Sequence, residues 1–283
     1  MSSFKKFKIA LCQMKVINDK QSNIRKAKEI IEIACSNYKP ELVILPEYFN
    51  CPVGLGYTEN YAEEESNSQS LAMLSEVAKR NKINLIGGSL PIKDGNKFYN
   101  TSYCFDRTGT IKARHRKNHL FDIDIPGKIS YQESATLSPG KNFTVFDTDV
   151  AKIGIGICYD IRFPEYAHIL KKNYGIEMLV YPAAFNTVTG PMHWELLHRS
   201  RALDNNVFLA ICSPARNTEN SNVYQCYGYS SVDNPFGKII ATTEQDECII
   251  EAEIDKSLIK DISEQIPTWK QKRIDMYDVI HKL

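Results

Sequence analysis

The strongest constraint on this chain is a succession of short, continuously apolar runs that alternate with stretches of helical spacing. Lys8 to Cys12, Leu42 to Leu45 and Ile83 to Ile86 each read as a strand, the last ending at Gly87-Gly88. Between them, Asn23 to Asn37 carries Ile24, Ala27, Ile30, Ile31 and Ala34 at helical spacing, and Ser70 to Arg80 forms a second helix. Tyr99 to Phe105 is a further strand, turned by Asp106-Arg107-Thr108-Gly109 into Thr110 to Ala113. Strands with one face in water alternate apolar and polar residues. These do not, so they belong to a sheet covered by helices on the β-α-β plan. No Ser/Gly-rich linker interrupts the 283 residues, which predicts one domain over 1–283.

A short internal repeat sharpens the architecture. Glu41 to Asn50 matches Glu177 to Asn186 without a gap, sharing Glu, Pro, Phe and Asn at corresponding places. Each copy follows a strand and a helix, the strands being Lys8 to Cys12 and Lys152 to Ile157. If the match is not chance, two related halves each give a sheet, and the sheets pack as an α-β-β-α sandwich. The copies differ at one telling position, where Glu47 in the first corresponds to Ala183 in the second. A charge kept in one copy alone is what a catalytic carboxylate would look like.

Composition narrows the setting. A net charge of +1 gives no reason to expect nucleic acid or an anionic membrane as partner. The acidic run Glu63-Glu64-Glu65 is short enough for a solvated loop or a helix start. Eight scattered cysteines form no C-x-x-C pair, which argues against a zinc ribbon and for reduced thiols in a reducing compartment. The apolar stretch near the N-terminus is too short for a signal sequence, and Pro182, Gly190 and Pro191 break the uncharged segment from Met178 to Trp194. The expected location is the cytoplasm, with a mitochondrial fraction allowed.

Three side chains carry the chemistry. Cys158 ends the apolar strand Ala151 to Ile157, and Pro164 then opens a helix over Glu165 to Asn173. A reactive group at the carboxyl end of a buried strand is where α/β folds place their active sites; the alternative is an inert structural thiol. A free thiol ionises near pH 8.5, so a nucleophilic Cys158 needs a base or a cation beside it. Glu47, just past a second buried strand, supplies a carboxylate whose pKa would rise on partial burial, unless it is a surface residue. Lys117 lies in Arg114-His115-Arg116-Lys117, otherwise a solvated basic loop, the reading kept for Arg114 and Arg116. As an ammonium beside the thiol, Lys117 would favour thiolate and then stabilise an oxyanion. Glu195 and His198 form a single E-x-x-H, read as ordinary helix surface or core, and His193 and His198 share no face, so no metal is expected.

With these residues the chain resembles the nitrilase superfamily, from about Lys8 to Tyr277. The motifs are Leu45-Pro46-Glu47, Arg116-Lys117-Asn118-His119-Leu120-Phe121-Asp122, and Gly156-Ile157-Cys158-Tyr159-Asp160-Ile161-Arg162-Phe163-Pro164-Glu165. Within it the chain is similar to the ω-amidase (Nit-type) branch, through His119 to Ile129, Tyr131 to Ser134, Leu137 to Gly140, Phe185 to Leu197 and Gln265 to Arg273. The resemblance implies a four-layer α-β-β-α fold, a homodimer whose interface the tail 264–283 crosses, and no cofactor. It implies Glu47 as base, Lys117 as oxyanion cation, Cys158 as nucleophile and Glu133 as a second carboxylate orienting Lys117 or substrate. Tyr159 would complete the oxyanion hole through its backbone N–H.

The implied reaction is hydrolysis of the terminal amide of α-ketoglutaramate or α-ketosuccinamate through a Cys158 thioester. The carboxylate of such a keto-acid substrate needs a cation, and Arg162 offers a bidentate fork, unless it is an ion-pair partner of Asp160 or Glu165. Phe185 and Thr187 would line the same wall. Cys51 to Gly56 departs from the expected pattern and leaves fine specificity open. The rival readings are a relative acting on deaminated glutathione and an interaction protein with a vestigial site.

Overall fold

A computed structural model describes residues 6–54, 56–220 and 223–282. The first half contains β1 (Phe7–Gln13), α1 (Lys20–Tyr38), β2 (Leu42–Ile44), α2 (Thr58–Tyr61), β3 (Glu63–Glu64), α3 (Gln69–Asn81) and β4 (Asn84–Ile86). Then come β5 (Leu90–Asp94), β6 (Lys97–Phe105), β7 (Ile111–Arg116), β8 (Asp122–Ile125) and β9 (Ile129–Gln132). The second half contains β10 (Thr144–Asp147), β11 (Lys152–Ile155), α4 (Pro164–Tyr174), β12 (Met178–Pro182), α5 (Gly190–Asn205) and β13 (Phe208–Cys212). It closes with β14 (Ser231–Asp233), β15 (Ile239–Thr242), β16 (Cys248–Ile254) and α6 (Ser257–Gln265).

Two mixed sheets result. One runs β16-β1-β2-β4-β6-β5-β3 with β7 against β6, the other β10 to β15 in chain order, and β8-β9 is a separate hairpin. The parallel centres are β1-β2-β4 and β11-β12-β13, Ile9 lying opposite Leu42 in one and Ile153 opposite Met178 in the other. Successive strand residues point to opposite faces, which builds the layers directly. Ile9, Leu11, Leu42 and Ile44 meet Ile153, Ile155, Met178 and Val180 between the sheets. Ala10, Cys12, Val43 and Leu85 face the other way, toward the apolar sides of α1 and α3. Leu179, Tyr181, Leu209 and Ile211 pack with residues of α4 and α5. Burying a side chain of this size contributes about 1.5–3 kcal/mol against leaving it in water, so both faces of each central strand favour the four-layer α-β-β-α sandwich.

The repeat is structural as well as sequential. Glu41 accepts the Lys8 N–H at 2.9 Å and Glu177 accepts the Lys152 N–H at 3.0 Å, each tying a strand to the segment that follows its helix. The helices are stopped alike, by Lys39 at φ +51° and Gly175 at φ +64°. The buried side of α1 includes Ile24, Ala27, Ile30, Ile31 and Ala34, the stripe read from spacing, and Asp19 caps it by accepting the Ser22 N–H at 2.6 Å.

Two local expectations are corrected. Arg114 and Arg116 are not loop residues: β7 continues through them, and they pair with Glu65 and Asp94. Glu63 is not solvated; its carboxylate accepts from the Ser68 and Ser70 hydroxyls at 2.6 and 2.7 Å and from Asn50 at 3.0 Å. Polar partners at the foot of α3 make a buried carboxylate tolerable there. Among the described residues, no helix is long and apolar enough to cross a membrane. Beyond α6 the tail lies on its own chain, Lys172 of α4 pairing with Asp278 and Trp269 donating to the Asp204 carbonyl at 3.2 Å. Of the Cys51 to Gly56 loop, Leu55 lies outside the described residues; Cys51 is buried beside Tyr48 and Leu137.

Candidate active site

The reactive side chains come from the ends of four separated strands. Glu47 lies three residues past β2, Lys117 directly past β7, Glu133 directly past β9 and Cys158 three residues past β11. Cys158 opens a single tight helical turn, Cys158–Arg162, with its backbone in the left-handed region at φ +44°. A non-glycine residue there carries strain of about 1–2 kcal/mol, which other contacts must hold. Gly156 lets the Tyr181 ring pack against the backbone leading into this turn, since a Cβ at that position would lie 2.3 Å from it. Asp160 supplies the hold. Its carboxylate accepts the Ile157 N–H at 2.9 Å and the His119 N–H at 2.9 Å, and meets His115 Nε2 at 3.0 Å and His119 Nδ1 at 2.7 Å. One buried carboxylate thus ties the cysteine turn to the segment carrying Lys117. Burial alone would push Asp160 up, but His115, His119 and the Ile157 N–H hold it well below the usual carboxylate range.

Lys117 Nζ lies 3.1 Å from Glu47 Oε1 and 2.8 Å from Glu133 Oε2, and all three side chains are buried. Glu133 also accepts the Phe121 N–H at 2.7 Å and the Tyr48 hydroxyl at 3.3 Å, so it is fixed independently of the lysine. Glu47 receives Asn100 Nδ2 at 2.8 Å and hydrogen-bonds to Cys158. The candidate nucleophile, base and cation are therefore contiguous, and Glu47 touches both of the others.

Burial, reinforced by the Glu47 carboxylate, pushes the Cys158 thiol well above its ordinary pKa, although Lys117 and the Ala184 N–H pull the other way. Lys117 favours the thiolate, as its charge requires, but burial and the Glu47 carboxylate outweigh it. Burial would lower the ammonium's own pKa, yet Glu133 and Glu47 raise it well above the usual value. Burial raises Glu47, with Glu133 adding to the rise and Lys117 opposing it. The resting site is a neutral thiol beside a strengthened base, suited to proton transfer as the sulfur attacks.

Around this centre, Arg162 lies over the Phe185 ring at 4.7 Å and near the Tyr159 ring at 5.5 Å. It donates to His193 Nδ1 at 3.1 Å, which places any proton of a neutral His193 on Nε2. Its Nε is buried and has no partner. Neither Asp160 nor Glu165 pairs with it; Asp160 is committed to the two histidines, and among the described residues no carboxylate forms an ion pair with Arg162. Tyr159 packs edge-on against Phe121 and Phe163. Thr187 is not brought in: it is exposed on the turn that Asn186 closes by accepting the Val188 and Thr189 N–H groups at 3.0 and 2.8 Å. His198 is buried against Asp233 at 2.5 Å while Glu195 pairs with Arg199 on the surface, so the E-x-x-H is divided between core and surface.

Asn100, Tyr48 and the hold of His115 and His119 on Asp160 escaped sequence reasoning. Only the histidines left a trace, since His115 and His119 sit two residues either side of Lys117.

Similarity to known proteins extends over the whole arrangement. The family model for "Carbon-nitrogen hydrolase" matches residues 8–264. "Omega-amidase, chloroplastic" of Arabidopsis thaliana is 50% identical over 279 residues, covering 97% of this chain and 74% of that protein. "Omega-amidase NIT2" of Homo sapiens is 48% identical over 273 residues, covering 96% of this chain and 97% of that one. The crystal structure of Saccharomyces cerevisiae Nit3, described as a member of branch 10 of the nitrilase superfamily, superposes with a TM-score of 0.86 at 43% identity, over 95% of this chain and 97% of that chain.

Proposed function

The chain belongs to the carbon-nitrogen hydrolase family and is an ω-amidase, and we propose that it hydrolyses the terminal amide of α-ketoglutaramate and α-ketosuccinamate through a Cys158 thioester. In the first half-reaction Glu47 takes the thiol proton as Sγ bonds to the amide carbon. Lys117, oriented by Glu133, and the backbone N–H of Tyr159 receive the oxyanion. The C–N bond breaks and Glu47 returns the proton to the departing nitrogen, which leaves as ammonia. Water then gives a proton to Glu47 and bonds to the thioester carbon. The C–S bond breaks, the sulfur recovers the proton, and 2-oxoglutarate or oxaloacetate leaves. No cofactor enters these steps.

The observation that carries the substrate class is the half-buried Arg162 guanidinium, which among the described residues has no carboxylate paired with it. A desolvated guanidinium without a counterion favours an anionic ligand, and the carboxylate of an α-keto acid is such a ligand. Phe185 stacks beneath it, and Tyr159 bounds the other side.

Two further properties belong to this reading. We assign the protein as a homodimer, in which Met192, Leu196 and Leu203 of α5 and Ile274, Met276 and Ile280 of the tail, exposed here, would be covered, the tail crossing the interface. Eight free thiols suit a reducing compartment, and the cytoplasm is the proposed location.

Ammonia release from α-ketoglutaramate by the wild type and by Cys158→Ala tests the assignment. Turnover in the first and none in the second is the expected result. A wild type inactive on this amide but active on deaminated glutathione would reassign the substrate. A wild type inactive on both amides would point to a vestigial site.

A further inference from the structure

Asn100 stands where the base and the cation meet. It lies on β6, and its backbone carbonyl accepts the Lys117 N–H at 2.9 Å, extending the β6-β7 ladder by one bond. Its side-chain Nδ2 donates to Glu47 Oε1 at 2.8 Å. One residue therefore fixes Lys117 through its main chain and Glu47 through its side chain. The residue is 1% exposed, and the Oδ1 of the same amide is buried with no partner. A buried, half-satisfied amide is costly and calls for a reason. Filling strand β6 does not supply one, because an apolar side chain would do that without a stranded carbonyl.

We propose that Asn100 is the positioning residue of the base: its amide donates to Glu47 and holds that carboxylate oriented and ionised, ready to take the Cys158 proton. This rests on Glu47 being the base. An N–H donor stabilises the charged form of a carboxylate more than the neutral one. Glu47 otherwise faces burial and the Glu133 carboxylate, both favouring the protonated form, which could accept nothing from the thiol. Lys117 opposes them but is shared with Glu133. The remaining titratable groups facing Glu47 are Cys158, Cys51 and Cys226, with the phenols of Tyr48, Tyr131 and Tyr224. Burial pushes all of these up, so they are neutral where the base works; of them the Cys158 thiol also hydrogen-bonds to Glu47 and favours its charged form, but that bond is spent as the proton is transferred, whereas the amide bond remains.

The test is the pH dependence of Cys158 alkylation by iodoacetamide, a neutral reagent that needs the base but not the natural substrate. In the wild type the rate falls on the acid side as Glu47 protonates. In Asn100→Ala and Asn100→Leu, each correctly folded by circular dichroism, that limb is expected to move up by about one pH unit, and the rate below the limb to drop about tenfold. Leu keeps the volume should Ala disturb the strand. A limb that stays in place in either folded variant, with only a uniform loss of rate, would overturn the proposal and leave Asn100 a packing residue. Because no amide turnover is read, a mistaken substrate assignment cannot mimic either outcome. Loss of the acid limb in Glu47→Gln identifies the group being followed; a limb retained there would remove Glu47 as the base and the proposal with it.

Discussion

Residue by residue, the centre is a contest over charge. Glu47, Glu133 and Lys117 together carry a net negative charge in a place with little water, and a thiolate would add another. The proton consequently stays on sulfur until the substrate carbonyl offers somewhere for the charge to go. Because burial and Glu133 raise Glu47, its base form is lost on the acid side at a pH above the ordinary glutamate range of about 4.3. The acid limb of kcat/KM should lie there, and a limb at or below that ordinary value in a pH-rate profile would contradict the assignment. Arg162 makes the complementary prediction. Arg162→Ala removes the charged fork for the substrate carboxylate, so KM for keto-acid amides should rise about ten- to a hundredfold, with a smaller change in kcat. Steady-state kinetics would check this, and an unchanged KM would take Arg162 out of the pocket.

Among the elements, the turn Cys158–Arg162 depends most on its neighbours. It holds Cys158 in a strained conformation, and Asp160 binds it to the residues flanking Lys117. Asp160→Ala would leave the Ile157 and His119 N–H groups without their acceptor, at a cost of about 1–3 kcal/mol for each buried donor left unsatisfied. It should lower the thermal midpoint by several degrees and reduce kcat more than it raises KM, since the distance between sulfur and ammonium is what the clamp sets. Calorimetry with single-turnover kinetics would show it. A stability loss with kcat intact would mean that the turn keeps its shape without the clamp.

For the whole molecule, the two-sheet sandwich explains why the site lies where it does. Glu47, Lys117 and Glu133 follow strands of the larger sheet or its adjoining hairpin, whereas Cys158 follows a strand of the smaller one. The site exists only when the sheets are packed together. α5 exposes Met192, Leu196 and Leu203 beside the Glu195–Arg199 pair, with Leu196 65% exposed, and in the proposed homodimer a second copy of the chain would cover these residues. Leu196→Glu should therefore shift the protein toward monomer in sedimentation velocity at micromolar concentration. A wild type that already sediments as a monomer would dismiss the dimer.

How much of this the residues announce depends on the range of the interaction. Strands such as Lys8 to Cys12 and the stripe on α1 were legible because spacing encodes which face is buried, a local property. Cys158 and Glu47 were legible because each follows an apolar run with a reactive group, whereas Lys117 lies in a basic stretch and stood out only as the cation that the thiol would need. Glu133 was found only through the resemblance, and Asn100 not at all, since an asparagine within a strand looks like any other polar residue. Thr187 was expected on the pocket wall and sits exposed, because the turn closed by Asn186 carries it outward. The protonation of Cys158 was beyond reach too. Whether the thiolate forms depends on burial and on the Glu47 carboxylate as well as on Lys117, and both follow from strand ends brought together from positions 47, 117, 133 and 158 by the packing of two sheets.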